Sequence, residues 1–128
     1  MLSMEEPSTY ATNRVLLVED HELLAKLTAK MIRAMGYEVA HVGSIADARA
    51  ISPFDFGIVL TDYSLSDGEA AELLTYIRER ASIPVLLLTA FAVDDVPEPV
   101  RSSFDHVLTK PVDKDHLHRV LAKYLPAT

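Results

Sequence analysis

The chain of 128 residues contains no cysteine and no tryptophan. Without cysteine it can form no disulfide framework, no thiol nucleophile and no cysteine-ligated metal site. Basic residues are also scarce, since 12 lysines and arginines stand against 19 aspartates and glutamates, for a formal net charge of −7. This balance argues against nucleic acid or an anionic membrane surface as a main partner, because both require a basic face.

Long apolar runs are also missing, and none approaches the ~20 residues that a membrane-spanning helix needs. The first dozen residues lack the cationic start and the apolar stretch of a signal peptide, so we expect a cytoplasmic protein. Residues 1–13 mix Glu, Pro, Ser and Thr without periodicity. We therefore expect a flexible tail over 1–13 and one folded domain over 14–128.

From residue 14 onward, short apolar runs alternate with amphipathic stretches. Five runs predict strands: 15–18, 38–42, 57–62, 85–88 and 105–109. The intervening stretches predict helices, the last of which is capped by Asp113. Strands and helices that alternate with short connections predict an α/β fold with a doubly wound, parallel (βα)5 sheet that carries helices on both faces.

The first helix is predicted over 21–35. Four large apolar side chains recur there with helical spacing and are predicted to face the core: Leu24, Leu27, Met31 and Met35. The opposite side is predicted to be exposed and available to a partner helix; it carries Ala25, Thr28 and Ile32.

Two later stretches are less regular. Asp67 is placed to cap a helix that runs to about Arg80. Between residues 93 and 103, Pro97 and Pro99 allow only a short helix, because proline fits just its first turn.

Polar residues stand where several predicted strands end. Glu19 and Asp20 follow the first strand, Asp62 ends the third, and Thr89 and Lys110 follow the fourth and fifth. If the first and third strands are neighbours, three carboxylates share one crevice at the carboxyl edge of the sheet and repel one another. Lys110 offsets part of this charge, and we expect a hard divalent cation with oxygen ligands, Mg²⁺, to offset the rest.

Four segments at these strand ends resemble one known family. They are VLLVED (15–20), LTDYSLSDG (60–68), LLLTA (86–90) and LTKPVD (108–113). In this order they are similar to the receiver domain of two-component response regulators, and the resemblance covers about residues 14–125. It implies the flavodoxin-like strand order 2-1-3-4-5, for which a member of this family is a standard example.

The resemblance also implies a role for each strand-end residue. Asp62 matches the aspartate that accepts a phosphoryl group, Thr89 the hydroxyl residue that binds this group, and Lys110 the lysine that pairs with it. Lys110–Pro111 matches a peptide bond that is cis in the family. These residues suit the chemistry, since positive charge must neutralise an anionic group approached by an anionic carboxylate.

The Mg²⁺ ligands follow from the same resemblance. Asp20 matches the acidic residue that contacts the ion directly, and Glu19 the neighbour that acts through water. Asp62 and the backbone carbonyl of Ser64 complete the protein ligands.

The sequence departs from the family pattern at several positions. Val107 stands where an aromatic residue or histidine usually swings inward after phosphorylation, and the adjacent His106 is predicted to point to the opposite face of the sheet. Ser66, Ala70 and Ser103 replace a frequent proline and two frequent glycines. We therefore expect the response to phosphorylation to spread through residues 90–103.

The five histidines are interpreted as surface residues, with His21 beside the acidic pocket.

The resemblance implies a switch that takes phosphate from a sensor histidine kinase or histidine phosphotransfer protein and signals to an unidentified downstream protein. It would be no enzyme beyond assisting its own phosphorylation and dephosphorylation. It would be either a single-domain regulator or a receiver taken from a hybrid kinase. Two alternatives remain: a degenerate receiver that binds proteins independently of phosphorylation, and a flavodoxin-like cofactor binder. The second is disfavoured because Glu19 and Asp20 would repel a cofactor phosphate.

Overall fold

The computed structural model describes residues 12–125 and contains five main strands and five α-helices within them. In chain order they are β1 (Arg14–Val18), α1 (Glu22–Ala34), β2 (Glu38–Val42), α2 (Ile45–Ala50), β3 (Ile58–Asp62), α3 (Ala70–Arg78), β4 (Val85–Thr89), α4 (Val100–Ser103), β5 (His106–Thr109) and α5 (Lys114–Tyr124). Short 3₁₀ turns cover Pro53–Asp55 and Val93–Asp95. Most of the predicted tail, residues 1–11, lies outside the described part.

All neighbouring strands of the main sheet are parallel, in the order β2-β1-β3-β4-β5. This confirms the predicted doubly wound α/β fold. Side chains alternate along each strand, so Leu17 and Leu60 pack on the face covered by α1 and α5, whereas Leu16 and Leu87 pack on the face covered by α2 and α3. The central strands β1, β3 and β4 are therefore buried on both faces, as their continuous apolar runs require, whereas the edge strands β2 and β5 are partly exposed. Within residues 12–125, no helix has the length and apolar character to cross a bilayer.

The face that α1 turns to the sheet differs in part from the predicted one: Met31 and Met35 pack against the core as predicted, but Leu24 and Leu27 do not. Ala25 and Ile32 are 0% exposed, whereas Leu24 and Leu27 are 39% and 54% exposed. Both stripes recur with helical spacing, so periodicity alone does not choose between them. Small alanines let the helix axis lie close to the sheet, which leaves the leucine stripe to face outward.

The predicted capping role of Asp67 is also wrong. Its two carboxylate oxygens accept hydrogen bonds from the backbone N–H groups of Ile45 and Ala46, both at 3.0 Å, at the start of α2. Helix α3 is capped instead by Glu69, in a reciprocal capping box with Glu72.

A short hairpin joins β3 to α3, which the sequence analysis did not predict. It pairs Ser64–Leu65 with Gly68–Glu69. Gly68 has a φ of +150°, and a Cβ atom there would lie 2.7 Å from the Glu72 carboxylate. Glycine is therefore required at this turn. The hairpin places Ser64 just after Asp62, and Asp67 ties it to α2.

Candidate functional site

The carboxyl ends of β1 and β3 bring three acidic side chains together. Glu19 and Asp20 follow β1 directly, Asp62 ends β3, and the two strands are neighbours in the sheet. Carboxylate oxygens of the three residues all lie within 4.8 Å of one another. The residues chosen from the sequence therefore form one cluster at the edge where parallel sheets collect ligands.

Lys110 reaches into this cluster from the end of β5. Its Nζ lies 2.8 Å from Glu19 Oε1 and 3.0 Å from Asp62 Oδ1. Its backbone N–H donates to the Thr89 carbonyl at 2.7 Å, which fixes the lysine beside β4. The Lys110–Pro111 peptide bond is cis, as the family resemblance implied. Burial opposes the charge on Lys110, but its contacts with Glu19 and Asp62 outweigh burial and raise its pKa.

Glu19 is the most enclosed of the three acids, with 3% of its surface exposed. Its backbone N–H donates to the Val42 carbonyl at 3.0 Å, and its Oε2 accepts from the backbone N–H of His21 at 3.2 Å. Burial alone would raise the pKa of Glu19, but the hydrogen bonds from Lys110 and His21 outweigh it and lower the pKa. The Glu19 carboxylate therefore stays ionised and fixed in place.

The pKa of Asp62 is shifted in the opposite direction to that of Glu19. Burial raises its pKa, Lys110 opposes that effect, and the nearby Glu19 charge adds to it, so the pKa is raised overall. Its Oδ1 also accepts from the backbone N–H of Tyr63 at 3.0 Å. One lysine thus cannot fully compensate two neighbouring carboxylates, and the pocket retains an excess of negative charge. Asp20, by contrast, is exposed.

Thr89 ends β4, the neighbour of β3 in the sheet, and is 0% exposed. Its Oγ1 accepts a hydrogen bond from the backbone N–H of Phe91 at 3.0 Å. The Phe91 ring in turn meets the Tyr63 ring edge-to-face, with ring centroids 6.0 Å apart. The Thr89 hydroxyl is therefore coupled to the start of the β4–α4 connection.

An apolar groove adjoins the acidic cluster, and the sequence analysis missed it. It has a volume of about 460 Å³ and lies between α1 and the end of β5. Leu27, Met31 and Val112 line it together with Glu19 and Lys110 of the site. Leu23, on the same helix, is 62% exposed. The signal that could have revealed the groove is the second helical stripe of α1, formed by alanines and Ile32.

Three histidines make contacts that sequence spacing does not show. His41 Nε2 lies 2.7 Å from the backbone carbonyl oxygen of Glu19. His106 on β5 meets His116 on α5, with ring centroids 5.8 Å apart. Burial, with smaller contributions from Lys123 and His116, lowers the pKa of His106. His106 thus faces α5, while Val107 packs on the other side of the sheet, as predicted.

Comparison with known proteins decides the family. Residues 15–122 match the model of the response regulator receiver domain. The chain belongs to this family. It is 30% identical over 118 residues to the sensor protein TorS of Escherichia coli (strain K12) and 29% identical over 117 residues to the response regulator protein PilR of Pseudomonas aeruginosa. Each alignment covers 88% of this chain, but only 13% of TorS and 26% of PilR. The chain thus spans about an eighth of the length of TorS and about a quarter of the length of PilR.

Solved receiver structures share the fold. A CheY-like receiver domain from Methylobacillus flagellatus superposes with a TM-score of 0.80 at 24% identity, covering 89% of this chain and 99% of that one. The receiver domain of the sensor histidine kinase PA1611 from Pseudomonas aeruginosa PAO1 superposes with a TM-score of 0.79 at 26% identity, covering 89% and 98%. That structure has a magnesium ion coordinated in its active-site cleft.

Proposed function

We propose that this receiver domain accepts a phosphoryl group from a phosphohistidine onto Asp62 and signals by protein contact. The observation that carries the proposal is the bridging position of Lys110, whose Nζ lies 2.8 Å from Glu19 and 3.0 Å from Asp62 within a cluster of three carboxylates. A lysine held there can pair with an incoming anion at the moment when the anion meets Asp62.

The acidic cluster fits Mg²⁺. Its donors are hard carboxylate oxygens, all within 4.8 Å of one another, and their charge exceeds that of the one lysine. Glu19, Asp20 and Asp62 would hold the ion together with the backbone carbonyl of Ser64. When bound, Mg²⁺ would neutralise charge on the phosphoryl group during transfer.

Each side chain of the pocket has its own role in the phosphoryl transfer. A carboxylate oxygen of Asp62 forms a bond to phosphorus while the phosphorus–nitrogen bond of the phosphohistidine breaks, and the imidazole nitrogen keeps the electron pair. Lys110 pairs with a phosphoryl oxygen of the product, an acyl phosphate. The Thr89 hydroxyl leaves the Phe91 N–H and donates to another phosphoryl oxygen, and the small Ala90 leaves room for the group. The domain thus assists its own phosphorylation and later hydrolysis, and it acts on no other substrate.

The phosphodonor is a sensor histidine kinase or a histidine phosphotransfer protein, and we infer that it docks on the exposed face of α1. Leu23 and Leu27 present 62% and 54% of their surface to solvent, and their stripe borders the groove that leads to Lys110. Exposed leucines at helical spacing suit packing against another helix. A helical partner seated there would bring its phosphohistidine to Asp62.

The chemistry is tested by intact mass after treatment with acetyl phosphate and Mg²⁺. We expect the mass gain of one phosphoryl group in the wild type and none in Asp62→Ala. A gain that persists in Asp62→Ala would refute the assignment of Asp62. No gain in the wild type would favour the alternative of a degenerate receiver, for which Val107 in place of an aromatic residue is the one supporting observation.

The docking surface is tested by replacing Leu27 with Asp. We expect phosphotransfer from a phosphorylated histidine domain to fall at least ~10-fold, while phosphorylation by acetyl phosphate stays unchanged. Ile51→Asp is the matched control, because Ile51 is also an exposed apolar residue, at 37%, but stands at the end of α2. Equal transfer rates for Leu27→Asp and the control would exclude the α1 face as the docking surface.

A further inference from the structure

We propose that His41 is a positioning residue for the divalent-cation site, an inference that rests on the proposed function. His41 lies on β2, and its Nε2 is 2.7 Å from the backbone carbonyl oxygen of Glu19. That carbonyl belongs to the peptide group that joins Glu19 to Asp20. The imidazole therefore holds the backbone between two residues assigned to the cation.

The sheet does not provide this restraint itself. The ladder between β1 and β2 ends at the pair Val18 and Val42, and one further bond follows, from the Glu19 N–H to the Val42 carbonyl. Among the backbone hydrogen bonds of residues 12–125, none is donated to the Glu19 carbonyl. The His41 ring N–H replaces the missing ladder bond at the point where the chain leaves the sheet.

Glu19 and Asp20 depend to different degrees on the hydrogen bond that His41 donates. Glu19 is also held by Lys110 and by the His21 N–H, both on its carboxylate. The exposed Asp20 side chain has no hydrogen bond or ion pair with any residue between 12 and 125. Its direction is therefore set by the backbone alone, so the His41 contact matters most for Asp20. Partners that orient metal ligands typically contribute 10- to 100-fold in metal affinity.

Two substitutions separate the hydrogen bond from the bulk of the side chain. His41→Val keeps a residue that favours β-structure but removes the donor, whereas His41→Gln retains an N–H at a similar reach. His118→Val is the matched control, because His118 is an exposed histidine on α5 that meets Tyr37 rather than the pocket. Two readouts are used: the Mg²⁺ concentration that half-shifts the Asp20 amide resonance in NMR, and the Mg²⁺ concentration that half-saturates phosphorylation by acetyl phosphate.

We expect His41→Val to raise both half-saturating Mg²⁺ concentrations about 10-fold, the lower end of the range for such partners. The maximal phosphorylation rate at saturating Mg²⁺ should stay within about twofold, because the reacting groups are untouched. His41→Gln and His118→Val should match the wild type within about twofold in both readouts.

Other outcomes overturn the proposal. Wild-type Mg²⁺ affinity in His41→Val, whatever its thermal stability, would mean that His41 only supports β2. Equal losses in His41→Val and His41→Gln would refute the hydrogen bond as the cause. If the wild type itself shows neither a Mg²⁺ shift nor phosphorylation, the proposed function fails together with this inference.

Discussion

The acidic pocket and the β4–α4 connection are neighbours that are held in very different ways. The pocket stands on buried parallel strands, and Lys110 is fixed by contacts with three separate strand ends. Residues 90–103 contain a helix of only four residues, Val100–Ser103. Among the side chains that the structure describes in this segment, which exclude that of residue 93, only Val96 is buried, at 1% exposure. Arg101 joins Asp94 and Glu98 through contacts of 3.4 Å at the surface. Surface ion pairs of this kind add little stability.

Because of this difference, phosphorylation and the response to it would occur in different parts of the molecule. The groups that would take the phosphoryl group are rigidly placed, whereas the segment next to them has few buried contacts to resist a change. Thr89 connects the two, since its hydroxyl accepts from the Phe91 N–H and its carbonyl accepts from the Lys110 N–H. Val107 is half-buried against the core and is too short to fill the space that Thr89 would leave. We therefore expect the response to phosphorylation to run into residues 90–103.

The largest expected effect is on stability, when one apolar side chain is truncated to alanine in the sheet and one in the β4–α4 connection. Leu87 in β4 is 0% exposed, so Leu87→Ala should lower the free energy of unfolding by about 2–5 kcal/mol. Phe91, at the start of the connection, is 57% exposed and keeps an edge-to-face contact with Tyr63, so Phe91→Ala should lower the free energy of unfolding by no more than about 1.5 kcal/mol. Urea unfolding followed by circular dichroism measures both. Similar losses would show that the connection is as firmly packed as the sheet.

Removing a pocket carboxylate should abolish most of the response to Mg²⁺. Asp20→Asn keeps the size of the side chain but loses a charged ligand, so Mg²⁺ affinity should fall at least ~10-fold. Amide shifts in an NMR titration report the binding. Unchanged Mg²⁺-dependent shifts in Asp20→Asn would remove Asp20 from the site.

Asp62→Asn is expected to stabilise the metal-free protein, by less than Leu87→Ala destabilises it. Burial raises the pKa of Asp62 despite the opposing effect of Lys110, so the folded chain binds this proton more tightly than the unfolded chain does. The ionised Asp62 carboxylate therefore lowers the free energy of unfolding once the pH rises above the ordinary pKa of aspartate. Asparagine carries no charge, so the substitution removes this loss. We expect a gain of about 1 kcal/mol at neutral pH that shrinks as the pH falls towards the ordinary pKa of aspartate. Urea unfolding in a chelator at two pH values measures the gain, and a loss of stability at neutral pH would contradict it.

The smallest expected effect is local to the connection. With acetyl phosphate and Mg²⁺ in excess, amide hydrogen exchange across residues 90–103 should slow several-fold relative to the free protein, because the phosphoryl group orders a weakly held segment. Asp62→Ala under the same conditions is the control. Equal exchange in both states across this segment, with changes confined to β5 and α5, would show that the usual family route operates despite Val107.

Much of this organisation follows from short patterns in the sequence. Runs such as residues 15–18 and 85–88 had to be strands buried on both faces, and parallel strands that end together place Glu19, Asp62 and Lys110 at one edge. Four motifs in family order then supplied the expected role of each residue.

The features that escaped prediction depend on contacts between distant residues. Helix α1 has two apolar stripes of the same period, and only the fit to the sheet decides that Ile32 is buried and Leu27 exposed. Asp67 caps α2 from 22 positions away, and the His41 ring reaches the Glu19 carbonyl from the same separation. No local pattern encodes such pairings.

The central claim is that Asp62 carries the phosphoryl group, and chemical trapping tests it most directly. Borohydride reduces an aspartyl phosphate to homoserine, so protein treated with acetyl phosphate and Mg²⁺ and then reduced can be digested and sequenced by mass spectrometry. We predict homoserine at Asp62 and at no other aspartate, with none in samples that lack Mg²⁺. Homoserine at Asp20 or elsewhere, or its complete absence from protein that binds Mg²⁺, would contradict the account.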